Sequence, residues 1–318
     1  MREYYLKEND FQNEIDTKVM PLLKEKRSDG FIDGYDGNKL HFVKYIADKE
    51  KKAVVFCHGF TESSEKFHEL TYYLLLNNYS VYILEHRGHG YSYRELEDFT
   101  LTHINKFDEY VEDFKLFLDY VKNDTGSEID LFAHSMGGGI TLLYLQKYKD
   151  SRINKVFLSS PMIMPDGGKT PIFLARIIIG FCCLIGKKKK RAFISEEYKG
   201  YELFENCCKT SEARFDEYEK IKRSDKHFQN YSPTYAWVYN SINIQKGILN
   251  KRTKLIKNPI FLAIAENDEL VLRKPQLKLA KKLPNCKMRI YENAKHEVYD
   301  SHDDVAYEFF DDLLDFLK

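Results

Sequence analysis

Largely apolar blocks four to six residues long recur along this chain, at 53–57, 81–84, 129–133, 155–158, 260–265 and 288–291. Blocks this short, without alternation, fit strands buried on both faces of a parallel sheet. Between them the period changes. From Ile104 through Phe107, Val111, Phe114 and Leu118 to Val121, apolar residues return every three or four positions, which predicts a helix with one buried face. Strands alternating with helices predict an α/β fold with right-handed crossovers, in which ligands bind beyond the carboxyl ends of the strands.

At one such end the pattern carries candidate chemistry. The segment Ile129-Asp-Leu-Phe-Ala-His-Ser135-Met-Gly-Gly-Gly139 sets one serine among small residues where a buried strand becomes a helix. A sharp strand-to-helix turn lifts a serine oxygen clear of the sheet, and its backbone closes only if the flanking side chains are small. Ala133, Gly137 and Gly138 meet that need, although Ala133 stands where the usual G-x-S-x-G pattern has glycine.

A serine hydroxyl becomes a nucleophile only beside a neutral imidazole, itself oriented by an acid. Asp268 follows the 260–265 block and His296 the 288–291 block. Both therefore fall on loops at the same sheet edge as Ser135, in the order Ser, Asp, His. Alone, Asp268 is equally suited to capping a helix, and His296 is one loop histidine among others; the joint order and placement select Ser135, Asp268 and His296 as catalytic candidates. Cys57-His-Gly-Phe60 follows the first block, so the Phe60 amide is expected beside that of Met136 as the donors of an oxyanion hole.

Composition narrows the alternatives. The 318 residues are 43% hydrophobic and 14% aromatic, enough for a large core, and Lys plus Arg balance Asp plus Glu at 49 each. A neutral balance gives no field to recruit nucleic acid. The six cysteines show no C-x-x-C and no regular spacing, so neither a disulfide framework nor a zinc site is expected; Cys57 reads as a small buried hydrophobe, in a reducing compartment. The N-terminal segment is charged and shows no apolar signal region, which makes cytoplasmic the expected location. His296-Glu297 resembles the opening of H-E-x-x-H, but Asp300 occupies the closing position. His86 and His89, in a glycine-rich turn, are expected to shape a loop. No metal is expected, and without a phosphate-cradling glycine motif no nucleotide cofactor is expected either.

Four blocks carry a resemblance: His58-Gly-Phe-Thr-Glu62, Glu85-His-Arg-Gly-His-Gly-Tyr-Ser92, Ala133-His-Ser-Met-Gly-Gly138, and Asp268-Glu-Leu-Val271 with Lys295-His-Glu297. From about Phe31 to the C-terminus the chain resembles the α/β-hydrolase family, in particular its monoacylglycerol lipase and bacterial lysophospholipase group. Thr102-His-Ile-Asn-Lys-Phe-Asp108 and Ser232-Pro-Thr-Tyr-Ala-Trp237 look like the lysophospholipase branch. The resemblance implies hydrolysis of one acyl ester of a single-chain lipid by Ser135, Asp268 and His296, without a cofactor. It also implies that Glu62 and Lys66, with His58 and Gly59 beside them, contact the substrate, although Lys66 stands where the lipases carry Arg; Glu85 reads as structural. An esterase, thioesterase or peptidase of the same fold, or a non-catalytic acyl-chain binder, are the other readings.

Residues 160–257 separate two predicted strands, far beyond the ~12 to 15 residues of a simple loop. They are expected to form a helical cap on a core made of 1–159 and 258–318. The apolar run 171–186 would span about 24 Å as a helix, short of the ~30 Å hydrocarbon core. Lys187, Lys188, Lys189, Lys190 and Arg191 follow it, so either a helix covering an acyl tunnel or a peripheral contact with an anionic membrane is expected. Ser232 and Pro233 predict a helix start ahead of Trp237, and 211–226 predicts a solvated charged face. A histidine base predicts activity that rises with pH through ~6 to 7.

Overall fold

The computed structural model describes residues 2–49, 52–168 and 170–318. Six predicted strands form: β3 (Lys52–Cys57), β4 (Tyr79–Leu84), β6 (Ile129–His134), β7 (Ile153–Ser159), β9 (Ile260–Ala265) and β10 (Cys286–Tyr291). Two more, β1 (Arg27–Asp33) and β2 (Lys39–Tyr45), were not singled out by pattern, because β1 is an edge strand of mixed polarity and half exposed. The sheet order is β1-β2-β4-β3-β6-β7-β9-β10; β1 and β2 run antiparallel to their neighbours and the other pairs are parallel.

Residues of β3 alternate between the two faces. Val55 and Cys57 join one core, under the helices Asp108–Thr125 and Met136–Tyr148; Val54 and Phe56 join the other, under His68–Leu76 and Asp303–Leu317. Cys57 is fully buried, as expected, and burial pushes its thiol well up. The helix expected from Ile104 starts at Asp108; Ile104 and Phe107 precede it yet still pack into the core.

Two sequence-based expectations need correction. Ser232 and Pro233 do not start a helix. They form β8, a two-residue strand parallel to β5 (Leu101–Thr102), and Thr234 caps the helix Tyr235–Ser241 through its hydroxyl and the Trp237 amide, 3.3 Å away. And 211–226 is solvated on one face only, where Glu212, Asp216, Lys220 and Arg223 are exposed. The helix Glu212–Ser224 buries Arg214, Phe215, Tyr218, Glu219 and Lys222, because Arg214 finds Glu69 at 2.8 and 2.9 Å and Asp303 at 3.1 Å. A buried guanidinium is tolerated when its donors are satisfied this way.

The fold places the site through strand order. β3 lies between β4 and β6, so the chain leaves β3 in both directions, and sheets of this kind bind ligands beyond the carboxyl ends of the strands at such a switch point. Cys57 pairs with Ala133 across these two strands. The loop that starts at His58 and the turn that holds Ser135 therefore emerge side by side.

Candidate active site

Ser135 links β6 to the helix Met136–Tyr148 with φ 49° and ψ −115°, a conformation that L-residues adopt only under constraint. The constraint is visible. Its amide donates to Ser159 O at 3.0 Å, and its carbonyl accepts from Met162 N at 2.7 Å and Gly138 N at 3.0 Å. The helix also presses on the end of β3, where a Cβ at Gly137 would sit 1.8 Å from Cys57 O, and a Cβ at Gly138 would sit 2.5 Å from Pro161 Cβ. Only glycine allows that approach.

Asp268 and His296 arrive from β9 and β10, whose following loops are pinned by Glu266 N to Tyr291 O at 3.1 Å and Asn267 N to Ala294 O at 2.9 Å. His296 Nδ1 lies 2.8 Å from Asp268 Oδ2, and Asp268 Oδ1 accepts the amides of Leu270 and Val271 at 2.9 and 3.0 Å. Burial pushes the Asp268 carboxyl up, but His296 and the two amides outweigh it and hold the group below its ordinary range. An ionised Asp268 fixes the proton on Nδ1 and leaves Nε2 as the basic nitrogen. That Nε2 is buried and has no partner among the described residues.

The amides of Phe60 and Met136 likewise have no acceptor among the described residues, and a Cβ built on Gly59 would stand 3.1 Å from Ser135 Cβ, which puts the loop against the serine. Phe60 packs under Trp237 with ring centroids 4.1 Å apart, so the segment between β7 and β9 lies over this loop.

Residues 48–303 match the family described as serine aminopeptidase, S33. The chain belongs to that family. Among relatives of this S33 hydrolase, a probable lysophospholipase L2 from Haemophilus influenzae is 31% identical over 95% of each chain. A monoacylglycerol lipase from Mycolicibacterium smegmatis is 29% identical over 48% of this chain and 54% of its own. Of solved structures, a soluble variant of monoglyceride lipase from Saccharomyces cerevisiae is similar at 18% identity with TM-score 0.74, over 91% of this chain and 94% of that one. The α/β-hydrolase fold expected from sequence is the fold found.

The S33 hydrolase does not offer His58, Glu62 and Lys66 to a substrate in the way expected. His58 is fully buried; its Nε2 accepts the His86 amide at 3.0 Å, and its Nδ1 donates to Gly59 O at 2.8 Å. Glu62 receives the Gly59 amide, the Tyr299 hydroxyl at 2.8 Å and the Lys66 ammonium at 2.5 Å. Those polar atoms are committed to the protein. Gly59 is therefore a residue of the loop's turn, its amide turned to Glu62. His86 and His89 are buried and shape the loop beneath; Glu85 accepts from His41 Nδ1 at 2.8 Å, Ser64 Oγ at 2.8 Å and Tyr91 N at 2.7 Å.

Carboxylate oxygens of Glu62 and Glu297 and a ring nitrogen of His134 come within 4.8 Å of one another, a grouping able to hold a cation. The Lys66 ammonium already bridges the two carboxylates there. Three residues of this site were not singled out from sequence: His134, whose ring lies 4.8 Å from that of His296, Tyr299, and Lys209. The first stands next to Ser135; the other two carried no local signal, since their partners lie far along the chain.

Proposed function

We propose that Ser135, Asp268 and His296 form the catalytic triad of a carboxylic ester hydrolase acting on single-chain lipids. The observation that carries this is a strained serine at the strand-to-helix turn, on the same sheet edge as an imidazole held by a buried carboxylate. The hydrolase and lipid-ester reading is supported by the lysophospholipase and monoacylglycerol lipase relatives.

In this reading Ser135 Oγ attacks the ester carbonyl as its proton passes to His296 Nε2. Asp268 holds the ring and stabilises the imidazolium, and the Phe60 and Met136 amides receive the oxyanion. His296 then gives the proton to the departing alcohol, leaving the acyl group on Ser135. Water attacks the acyl-serine with its proton taken by the same Nε2, and collapse releases the fatty acid and restores Ser135. No metal or nucleotide enters any of these steps.

Residues 160–257 serve as the cap, with Trp237 over the oxyanion loop. The helix Ile172–Cys182 exposes Phe173, Ile177 and Phe181, and beyond it Leu184 and Ile185 are exposed as well. No helix among the described residues is long and apolar enough to cross a membrane, while Lys187, Lys188 and Lys190 stand exposed immediately after this apolar surface. An apolar strip beside free ammonium groups suits peripheral contact with an anionic lipid surface.

The decisive experiment is release of free fatty acid from monoacylglycerol and lysophospholipid in parallel, by wild type and Ser135→Ala. Turnover lost in the variant supports the reading and names the preferred head. No turnover of either lipid, together with no labelling of Ser135 by a fluorophosphonate, would make the chain an acyl-chain binder on a hydrolase fold.

A further inference from the structure

Lys66 is the most deeply placed ammonium near the site. It lies 2.5 Å from Glu62 Oε1 and 2.5 Å from Glu297 Oε1, and both its own side chain and that of Glu62 are 2% exposed. Glu62 holds the Gly59 amide, one residue before Phe60. Glu297 directly follows His296. One buried cation therefore joins the loop after β3, with its oxyanion amide, to the loop after β10, with its imidazole.

The surroundings define what this cation does to the reaction. His134, at the end of β6, stands between: its Nε2 is 3.7 Å from Glu62 Oε1, and its ring is 4.8 Å from that of His296. Burial pushes His134 down to about 4, so it is a neutral ring at working pH. Burial pushes Glu62 up, but Lys66 and His134 overcome this and hold it at about 2, ionised. From the cap side, the Cys208 thiol donates to Glu297 Oε1 at 3.1 Å, and Lys209 Nζ lies 3.4 Å from Glu297 and 2.6 Å from Asp300. Tyr218, on the helix Glu212–Ser224, and Tyr299 flank Lys66 with their rings, each 5.6 Å from its ammonium; Lys66, Lys222 and Glu297 line one small cavity. Burial pushes Asp300 up to about 7. Asp268 is thus the carboxylate on His296 itself, Glu62 is the one beside His134, and Lys66 is the cation shared by Glu62 and Glu297, with Lys209 also on Glu297.

We propose that Lys66 is a positioning residue for ester hydrolysis: it clamps Glu62 to Glu297, fixing the spacing of the Phe60 amide and the His296 ring, and balances buried carboxylate charge on the side of the site where His134 packs against His296. The assignment rests on the hydrolase reading above and departs from a headgroup role for this lysine. The ammonium is already engaged by two carboxylates and flanked by two aromatic rings.

Lys66→Met leaves Glu62 without its ammonium and Glu297 with Lys209 alone, next to His134, whose ring packs on that of His296. An imidazolium is then favoured, and more alkaline solution is needed to free the base. Glu297→Gln removes one carboxylate and acts in the opposite sense. The test is the pH profile of kcat/KM on p-nitrophenyl butyrate, an ester without a polar lipid head, for wild type, Lys66→Met, Lys66→Arg and Glu297→Gln, with monoacylglycerol run beside it. For Lys66→Met we expect kcat lower by about tenfold on both esters, KM within about twofold, and an acid limb higher by about one pH unit. Lys66→Arg restores most of the rate, and Glu297→Gln moves the limb to lower pH.

A loss confined to KM for monoacylglycerol would make Lys66 a headgroup contact and overturn the proposal. Acid limbs unchanged in Lys66→Met and Glu297→Gln would reduce it to a structural ion pair and overturn it equally. If Lys66→Met does not fold, the direction of the Glu297→Gln limb decides. A wild type inert on both esters would refute the hydrolase reading instead; NMR titration of the His296 ring in wild type and Glu297→Gln would then decide the charge role, with identical midpoints overturning it.

Discussion

Asp268 Oδ2 stands 2.8 Å from His296 Nδ1, and the second oxygen of the same carboxylate is fastened by two backbone amides. The carboxylate cannot swing away, so the imidazole has one orientation and one tautomer. Asp268→Asn keeps the shape but can present an amide N–H to Nδ1, which forces the ring proton onto Nε2, where it blocks the base. kcat is expected to fall by about 10³ to 10⁴ with little change in thermal midpoint. A fall below about tenfold would mean that Asp268 does not orient the base.

The strain at Ser135 predicts a trade between stability and turnover. Glycine accepts φ 49° and ψ −115° without the clash a Cβ brings. Ser135→Gly is therefore expected to abolish hydrolysis while raising stability by about 1 kcal/mol, and Ser135→Ala to lose at least about 10³-fold in kcat. Urea denaturation of the two variants checks this. A glycine variant less stable than wild type would show that the turn is not strained.

Gly137 should tolerate no side chain. Its Cβ would lie 1.8 Å from Cys57 O and 2.4 Å from Cys57 C, backbone atoms of a central strand that cannot move aside. Gly137→Ala is expected to cost more than about 3 kcal/mol and to lower activity further by displacing the Met136 amide. A midpoint near wild type in thermal denaturation would contradict the close approach.

These features were unequally legible in the sequence. Strands buried on both faces announce themselves as apolar blocks, so β3, β4, β6, β7, β9 and β10 could be read, and with them the loops that carry Ser135, Asp268 and His296. β1 has one exposed edge and no such block. Charges misled most. Arg214 and Lys222 look solvated because their partners, Glu69 and Asp303 for the first and Glu202 for the second, lie far away or outside the helix. Lys66, expected as a substrate contact, also has a partner far along the chain. Glu62, four residues before it, is a local signal, but Glu297 is brought to it only by the folded sheet.

Buried histidines predict how stability depends on pH. Burial pushes His58, His86, His89 and His134 below the ordinary imidazole value, His134 to about 4. The unfolded chain takes up these protons below ~6.5 and the folded chain only at lower pH, so their contribution is intact above ~6.5 and is lost as pH falls toward about 4. For His134 the full loss is about 3 kcal/mol. His68 and Asp300 act in the opposite sense, His68 since Glu217 and Glu65 raise it more than burial lowers it, and Asp300 since burial pushes it up to about 7. Denaturation midpoints should decline steadily from pH 7 to pH 4.5, and less steeply in His134→Gln. The same slope in wild type and His134→Gln would show that burial does not lower this ring in the fold.

The apolar surface after the helix start at Ile172 makes the last prediction. Phe173, Ile177 and Phe181, four residues apart, are 65%, 63% and 60% exposed, on one side of the helix Ile172–Cys182. Arg176, the one charge within it, turns inward to Ile242 O at 3.0 Å and leaves the strip uncharged. In the basic run, Lys189 is paired with Glu95 at 2.7 Å, and Arg191 lies 3.9 Å from Asp98 and 3.8 Å from Glu197. Free positive charge is thus concentrated on Lys187, Lys188 and Lys190. Each ammonium near an anionic surface contributes about 1 kcal/mol, so replacing these three by glutamine should weaken binding to phosphatidylserine vesicles by about 100-fold at low salt. Phe173→Ser with Ile177→Ser should weaken it on neutral vesicles as well, because that share comes from apolar burial. Sedimentation that is unchanged when Lys187, Lys188 and Lys190 are replaced would assign the apolar helix to covering the acyl site and remove the membrane from its role.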